Sequence, residues 1–284
     1  MDGIEQLISD NKIPLGPWGK SAVDWITTNF EWFFDSISLA LQVPIDATSD
    51  LLLATPAFLF IAIVAGIAYL LQRSWWLVLF VVIGLLLILN QDLWEPMVET
   101  VVLIIFATLV SLLIGIPIGI LAARRPWIYR FLSPILDMMQ TIPTFVYLIP
   151  VLILFGLGVV PGILATVVFA VPAPIRLTYL GIRQVPNALI EAGQSFGCTG
   201  WQLLLKVKLP AALPTIMAGI NQCIMLSMSM VVIAALVGAG GLGKPVVRSL
   251  NSVNVPLGIE SGLAIVIVAI ILDRMLKQRA SSQV

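Results

Sequence analysis

The sequence predicts an all-α integral membrane protein with about seven transmembrane helices. Hydrophobic residues make up 60% of its 284 residues and charged residues only 11%, whereas roughly a quarter of the residues in a soluble domain are charged. The apolar residues are gathered into seven runs that approach the length of about 20 residues needed to cross a bilayer. These runs do not alternate in polarity as barrel strands do, so helices are the predicted way to satisfy the backbone in lipid.

The seven runs divide into a peripheral pair and a core of five. The first two lie in the segment 54–97, and the other five lie in the segment 98–275. The fifth run is short and is flanked by Pro161, Pro172 and Pro174, so its ends are the least sharply marked. The predicted spans are 54–71, 74–89, 98–123, 135–157, 159–174, 211–237 and 257–272.

The segment 1–53 is a predicted extracytoplasmic tail that carries eight of the 15 acidic residues. Apolar side chains recur in this tail at helical spacing, whereas most acidic side chains fall between them, which predicts an amphipathic helix. Such a helix would lie on the outer membrane face or pack against the bundle. The apolar positions are Val23, Ile26, Phe30, Phe33, Phe34 and Ile37.

The basic residues predict the orientation of the chain, because Lys and Arg are enriched on the cytoplasmic side of a membrane. With the C-terminal tail, 276–284, in the cytoplasm, 11 of the 15 basic residues lie on inner connections and 12 of the 15 acidic residues lie outside. An odd number of spans then places the N-terminus outside. The polar segment 183–210 consequently faces the cytoplasm.

This polar segment carries signals for two short helices. Asn187 is the predicted N-cap of the first helix, and Gly197 is placed to close it. Thr199 and Gln202 have the spacing of a capping box, which predicts the start of a second helix that continues up to Pro210. The two helices would form a compact protruding knob, although an ordinary amphipathic loop is the simpler alternative.

The order Glu191, Ala192, a small residue, Gly197 and then Leu209-Pro210 resembles the coupling loop of ABC importer permeases, which docks on an ATPase subunit. One position departs from the family pattern, since Gly193 stands where Ala is usual. The coupling residues that the resemblance implies are Glu191, Ala192, Gly193, Gly197, Thr199, Trp201, Leu203, Leu209 and Pro210.

Four longer strings, 137–147, 176–186, 213–222 and 230–234, resemble the glycine betaine/proline betaine permeases of that family. The resemblance implies a type I importer core that moves a quaternary amine such as glycine betaine, proline betaine or choline across the inner membrane. It also implies a homodimer of permeases in membrane lipid, an extracytoplasmic substrate-binding protein and a separate ATPase subunit that holds ATP and Mg. The chain itself is expected to bind no cofactor, metal or nucleic acid.

A glycine-rich segment follows the sixth predicted span. Its spacing, up to Lys244, meets the start of a phosphate-binding loop, but Pro245 replaces the Ser or Thr that would hold Mg²⁺, and a membrane helix precedes it instead of a strand. It is therefore predicted to be a flexible outer hinge or gate. The candidate gate residues are Gly238, Gly240, Gly241 and Gly243.

Proline and polar side chains inside the predicted spans mark a candidate translocation path. A proline removes a backbone donor, which lipid tolerates only where neighbours or a wet cavity compensate. Hydrogen bonding between helices, without substrate contact, is the alternative for each polar residue. The candidate path residues are Thr141, Pro143, Thr144, Tyr147, Asn221, Ser227 and Ser229.

The side-chain inventory argues against an enzyme, and no catalytic residue is predicted. The chain has no His, the commonest acid/base group at neutral pH, and Cys198 and Cys223 are predicted to be plain small side chains. A competing hypothesis is an ion-coupled secondary carrier, which would need an ionisable group deep in the membrane. Asp137 and the other acidic residues of the core lie near predicted span ends instead.

Overall fold

The computed structural model describes residues 15–276, and every element in this range is helical. Residues 1–14 of the predicted N-terminal tail and residues 277–284 of the predicted C-terminal tail lie outside the described residues. In chain order the helices are α1 (Leu15–Ala54), α2 (Ala57–Gln72), α3 (Trp75–Asn90), α4 (Trp94–Arg124), α5 (Pro126–Thr141), α6 (Thr144–Phe155), α7 (Val159–Ala170), α8 (Pro172–Arg183), α9 (Asn187–Ser195), α10 (Gly200–Leu203), a π-helical turn (Leu204–Lys208), α11 (Leu209–Ala235), α12 (Gly243–Ser252) and α13 (Val255–Leu276).

The bundle has two ends, which we name after the segments at either end of α11. The knob end holds the knob, residues 187–203, and the glycine end holds the glycine turn, residues 238–243. Contacts assign the other helices to these ends: Glu99 near the start of α4 meets the glycine turn, and Arg124 at the end of α4 meets the knob. The seven predicted spans correspond to seven passes between the ends, namely α2, α3, α4, α5 with α6, α7 with α8, α11 and α13.

The peripheral pair is a hairpin of two short helices. α2 and α3 contain 16 residues each, or roughly 24 Å of helix, which is less than the roughly 30 Å hydrocarbon layer. Arg73 makes the tight turn between them with a left-handed backbone at φ 44°. Gln72 donates a hydrogen bond to the Met275 carbonyl over 3.1 Å, so this turn and the end of α13 lie together at the knob end.

Helix α1 is long and apolar enough to cross a membrane, but the contacts of its second half lie at the glycine end. Phe34 packs edge to face against Phe155 at the end of α6, with ring centroids 5.3 Å apart. Asp50, sixteen residues further on, lines a cavity of about 390 Å³ with Glu95 and Gly240. A stretch of roughly 24 Å of helix therefore stays at one end of the bundle, which fits a helix lying across it.

The fourth predicted span, 135–157, is not one helix. It is divided between α5 and α6, which are bent by 99° at the break. Ile142 has an extended backbone, with ψ 133°, because the ring of Pro143 disfavours a helical conformation in the preceding residue. Pro143, one of the prolines predicted to mark the translocation path, stands at this break.

Two other predicted spans are longer than expected, because prolines do not end them. Val171 keeps a helical backbone between α7 and α8, so the fifth pass runs from Val159 to Arg183. Pro210 likewise falls in the first turn of α11, where a missing N–H costs little when the preceding chain accommodates it. The helix predicted to stop at Pro210 instead continues through the π-helical turn into α11, in a path from Gly200 to Ala235.

The centre of the bundle is built on the close approach of α4, α8 and α11. A Cβ placed at Gly119 would lie 2.7 Å from the Thr178 Cβ and 2.8 Å from the Ile175 carbonyl oxygen. A Cβ at Gly115 would lie 2.7 Å from Pro174, and one at Gly219 2.9 Å from the Leu177 Cβ. Small residues let membrane helices bring their backbones together, and here they leave no room for any side chain.

Replacing Gly119 with Val is therefore expected to destabilise the bundle, because overpacking at a tight contact costs about 1–3 kcal/mol. Gly66→Val is the matched control, since nothing lies within 4 Å of a Cβ at Gly66. Thermal unfolding of both variants in detergent, followed by size-exclusion fluorescence, measures the difference. Equal midpoints for the two variants would contradict this account of the packing.

Candidate coupling site and translocation path

The first helix of the knob begins differently from the sequence prediction. Pro186, with ψ 135°, precedes α9, and Asn187 is the first helical residue. No side chain caps this end, so the prediction of Asn187 as N-cap was wrong. Pro186, with its extended backbone, takes the position that precedes the helix.

Gly197 closes α9, as the sequence predicted. Its backbone is left-handed, with φ 76°. The Gly197 N–H donates to the Gln194 carbonyl over 2.8 Å, and the Cys198 N–H donates to the Gly193 carbonyl over 3.1 Å. These two bonds form a Schellman motif, in which a glycine satisfies the last carbonyls of a helix.

The second helix begins with the predicted capping box. The Gln202 N–H donates to Thr199 Oγ1 over 3.4 Å, and the Thr199 N–H donates to Gln202 Oε1 over 2.9 Å. The two bonds satisfy backbone donors that the first turn would otherwise leave free. Gly197 and Thr199 together define the angle between the two helices of the knob.

The inner face of the knob is packed against itself. Gly193 is buried, and a Cβ there would lie 2.8 Å from Leu203 Cδ1 and 3.2 Å from Val207 Cγ2. Leu203 and Leu204 are buried as well, so they hold the knob together and are not available to a partner. Leu203 was predicted to supply partner contact, and the structure corrects that role because its side chain faces α9.

The outer face of the knob is polar at α9 and aromatic at its tip. Phe196 is 90% exposed and Trp201 is 59% exposed. The sequence analysis missed Phe196, although a large aromatic residue directly before the closing Gly197 is a recognisable signal of a projecting tip. Of the remaining predicted coupling residues, Glu191, Ala192 and Pro210 are exposed, and Leu209 is partly buried.

A cation–π contact joins the knob to α4. The Arg124 guanidinium carbon lies 4.2 Å from the centre of the Trp201 ring, within the range of a favourable contact. Below it, Leu204 belongs to a buried cluster with Ile182 of α8 and Ile216 of α11. The knob is therefore attached to three passes of the bundle and not to a flexible linker.

The glycine turn is held by two residues of α4. The Gly241 N–H donates to Glu99 Oε2 over 2.6 Å, and the Leu242 N–H donates to Thr100 Oγ1 over 2.7 Å. The Glu99 carboxylate and the Thr100 hydroxyl thus occupy backbone donors that a phosphate would use in a nucleotide-binding loop. The sequence analysis missed both anchors, because they lie 142 residues away in the chain.

The four predicted gate glycines are packed closely, which explains them without invoking flexibility. A Cβ at Gly240 would collide with the Glu99 carboxylate, and one at Gly243 with the Val231 carbonyl oxygen. Gly238 and Gly241 have left-handed backbones, with φ 89° and 88°. Movement of this turn as a gate stays a prediction, and its resting state is pinned to α4.

The predicted path residues fall into two groups. Thr141, Pro143, Thr144 and Tyr147 surround the break between α5 and α6, where the Tyr147 hydroxyl donates to the Met139 carbonyl. The others lie along α11: Asn221 Oδ1 is buried without a partner among the described residues, Ser229 is exposed, and Ser227 is buried.

One of the predicted path residues, Ser227, has a role in helix packing. The buried Ser227 hydroxyl donates to the Cys223 carbonyl over 2.9 Å within α11, so helix packing explains it without a substrate.

Cys198 and Cys223 are both free thiols. Between residues 15 and 276 no group of three or more His, Cys, Asp or Glu side chains is arranged to hold a metal ion.

Comparison with known proteins gives consistent relatives along almost the whole chain. OpuAB, the glycine betaine transport system permease protein of Bacillus subtilis strain 168, is 47% identical over 269 residues, covering 93% of each chain. GbuB, the glycine betaine/carnitine transport permease protein of Listeria monocytogenes, is 47% identical over 266 residues, covering 93% of this chain and 94% of GbuB. ProW of Escherichia coli K12, a glycine betaine/proline betaine transport system permease protein, is 43% identical over 263 residues, covering 93% of this chain and 74% of ProW.

The fold has a relative among solved structures. A chain of the inward-facing MetNI methionine ABC transporter matches with 26% identity and a TM-score of 0.55, covering 63% of this chain and 91% of that chain. The profile of the family described as "Binding-protein-dependent transport system inner membrane component" matches residues 115–276. The chain therefore belongs to the inner membrane components of binding-protein-dependent transport systems, and it is the non-catalytic permease subunit of an ABC transporter.

Proposed function

We propose that this permease serves an ATP-driven importer that moves a quaternary amine osmolyte, such as glycine betaine, proline betaine or choline, by alternating access. The observation that carries the proposal is the 47% identity to OpuAB, because the match covers 93% of both chains. GbuB and ProW support the same substrate class, since both are named for transport of glycine betaine.

The knob is proposed to dock on a separate ATPase subunit, which would hold ATP and Mg. Phe196 and Trp201 provide exposed aromatic area at its tip, and aromatic residues are enriched among those that dominate binding energy at protein interfaces. The buried Leu203 and the Schellman motif at Gly197 make the knob rigid. A rigid knob can transmit a displacement, whereas a flexible loop would absorb it.

The orientation follows from charge. The knob end carries Arg73, Arg124, Arg125 and Arg183, which supports a cytoplasmic knob end by the enrichment of basic residues on that side. The glycine end carries Lys244 and Arg248 of α12 but also a group of acidic residues, including Glu95 and Glu99 of α4 together with Asp46 and Asp50 of α1. It is therefore the proposed outer face, where the substrate-binding protein would dock.

A second copy of the permease and membrane lipid are the remaining proposed partners. Large apolar side chains are exposed on each of the passes other than α7 with α8. On the pass formed by α7 and α8, Leu180 is the one large apolar side chain that is exposed. Apolar surface on this scale marks contact with lipid or protein. Part of this exposed apolar surface would face lipid, and the rest would form the contact between the two permease copies.

Replacing Gly197 with Val is expected to lower both substrate uptake and substrate-stimulated ATPase activity of the assembled transporter. The reason is that a β-branched residue does not readily adopt φ 76°, so the angle between α9 and α10 must change. Gly200→Val is the matched control, because Gly200 has an ordinary backbone and open space around it. Full uptake and full stimulation in Gly197→Val proteoliposomes would count against the rigid knob.

Replacing Phe196 with Ala tests the docking face separately. We expect weaker co-purification of the ATPase with an unchanged thermal midpoint of the permease, because Phe196 is 90% exposed and makes no core contact. Phe58→Ala, which truncates a 72% exposed ring on α2, is the control. If the ATPase remained bound to Phe196→Ala as firmly as to Phe58→Ala, this tip would not be the docking site.

A further inference from the structure

A cavity of about 310 Å³ lies between α5, α8 and α11, beside the predicted path residues. Its walls include residues adjacent in sequence to the path candidates Thr141 and Asn221, namely Gln140 and Gln222. Its volume is at the lower end of the range for small-molecule sites in proteins. The aromatic, amide and cationic side chains that line the cavity are Tyr129, Gln140, Arg176, Tyr179 and Gln222.

One wall of the cavity is aromatic. The rings of Tyr129 from α5 and Tyr179 from α8 stack with centroids 3.6 Å apart and planes within 3°. Both side chains are only partly buried, so ring surface remains available to a ligand. A quaternary ammonium group has no N–H to donate and is held chiefly by aromatic faces, and this wall offers such faces inside the bundle.

Another wall is cationic. Arg176 donates one hydrogen bond of 2.6 Å to Asp137, although a guanidinium has five donors arranged in a planar fork. Its remaining donors have no protein acceptor between residues 15 and 276. The Asp137 side chain is 60% exposed and the Arg176 side chain 33% exposed, so a ligand carboxylate can reach the guanidinium without disrupting the core.

The two walls are a short distance apart. Arg176 and Tyr179 are three residues apart on α8, so their side chains emerge on the same face about 5–6 Å from each other. In a betaine, a few bonds separate the quaternary ammonium from the carboxylate. The side-chain amides of Gln140 and Gln222 can donate additional hydrogen bonds to that carboxylate.

We infer that this cavity is a transit site for zwitterionic quaternary amines, with the ammonium group against the tyrosine pair and the carboxylate on Arg176. The inference rests on the proposed function and narrows its substrate class. It favours amines that carry a carboxylate, such as glycine betaine, proline betaine and carnitine, over choline, which has a hydroxyl group instead. In this arrangement the ligand carboxylate accepts hydrogen bonds from the guanidinium donors that Asp137 leaves free.

The test is direct binding of tritiated glycine betaine to the purified permease–ATPase complex without its binding protein, by scintillation proximity, with choline as competitor. We expect weak, saturable binding that choline competes for poorly. Arg176→Gln should reduce betaine affinity by about tenfold, as loss of a hydrogen bond to a charged group does, and should abolish the preference over choline. Arg130→Gln, which alters an exposed arginine of α5 outside the cavity lining, is the matched control.

Tyrosine variants test the other wall and remain informative if Arg176→Gln fails to assemble. Tyr179→Leu should weaken binding of both betaine and choline several-fold, whereas Tyr179→Phe should retain most of it because the ring face is kept. Tyr69→Leu, at the peripheral hairpin, should have no effect.

Asp137→Asn distinguishes the site from a purely structural ion pair. A structural pair predicts the same loss of binding in Asp137→Asn as in Arg176→Gln, whereas the transit site predicts unchanged or tighter binding once the competing carboxylate is gone.

Three results would overturn the inference: absence of betaine binding to the wild-type complex, betaine binding in Arg176→Gln equal to that of the wild type, or equal losses in both ion-pair variants. Failure of the wild-type transporter, assembled with its binding protein, to import glycine betaine would instead overturn the proposed function.

Discussion

The close contact between α4 and α8 is the constraint on which the rest of the structure depends. Gly115 and Gly119 bring the two backbones together without an intervening side chain. In lipid, helices gain little from hydrophobic association and depend on such packing. Because α4 contacts the knob through Arg124 and the glycine turn through Glu99, this one helix connects both ends of the bundle. A displacement at the knob therefore has a direct mechanical route to the opposite end.

The two functional ends are built on the same principle. At each end, a glycine with a left-handed backbone makes a sharp turn, and hydrogen bonds hold that turn in place. The Schellman motif fixes the turn at Gly197. The turn at Gly241 is fixed by a charge-assisted bond that the Gly241 N–H donates to the Glu99 carboxylate. The cavity lies between these ends, along the helices that connect them. The bundle thus has a hydrogen-bonded turn at each end and, between the ends, a cavity lined by polar and aromatic side chains.

Much of the fold could be predicted from sequence, because the length of an apolar run reports directly on a membrane pass. Proline was the misleading signal. Pro117 and Pro214 lie inside continuous helices, whereas Pro143 stands at a 99° bend, and the difference depends on neighbouring helices that periodicity does not reveal. The capping box at Thr199 was predictable because two residues signal it together, whereas Asn187 alone was not sufficient. Arg124, Glu99 and Thr100 were missed as anchors because their partners are distant in the chain.

The π-helical turn at Leu204–Lys208 has a consequence for the direction in which the knob points. Such a turn accommodates one residue more than a regular helix does, and one residue corresponds to about 100° of rotation about a helix axis. The one additional residue in this turn therefore sets the rotational orientation of the aromatic tip about the axis of α11. Loss of one residue from this turn would rotate the tip about the α11 axis and would also displace Leu204 from its contacts with Ile182 and Ile216.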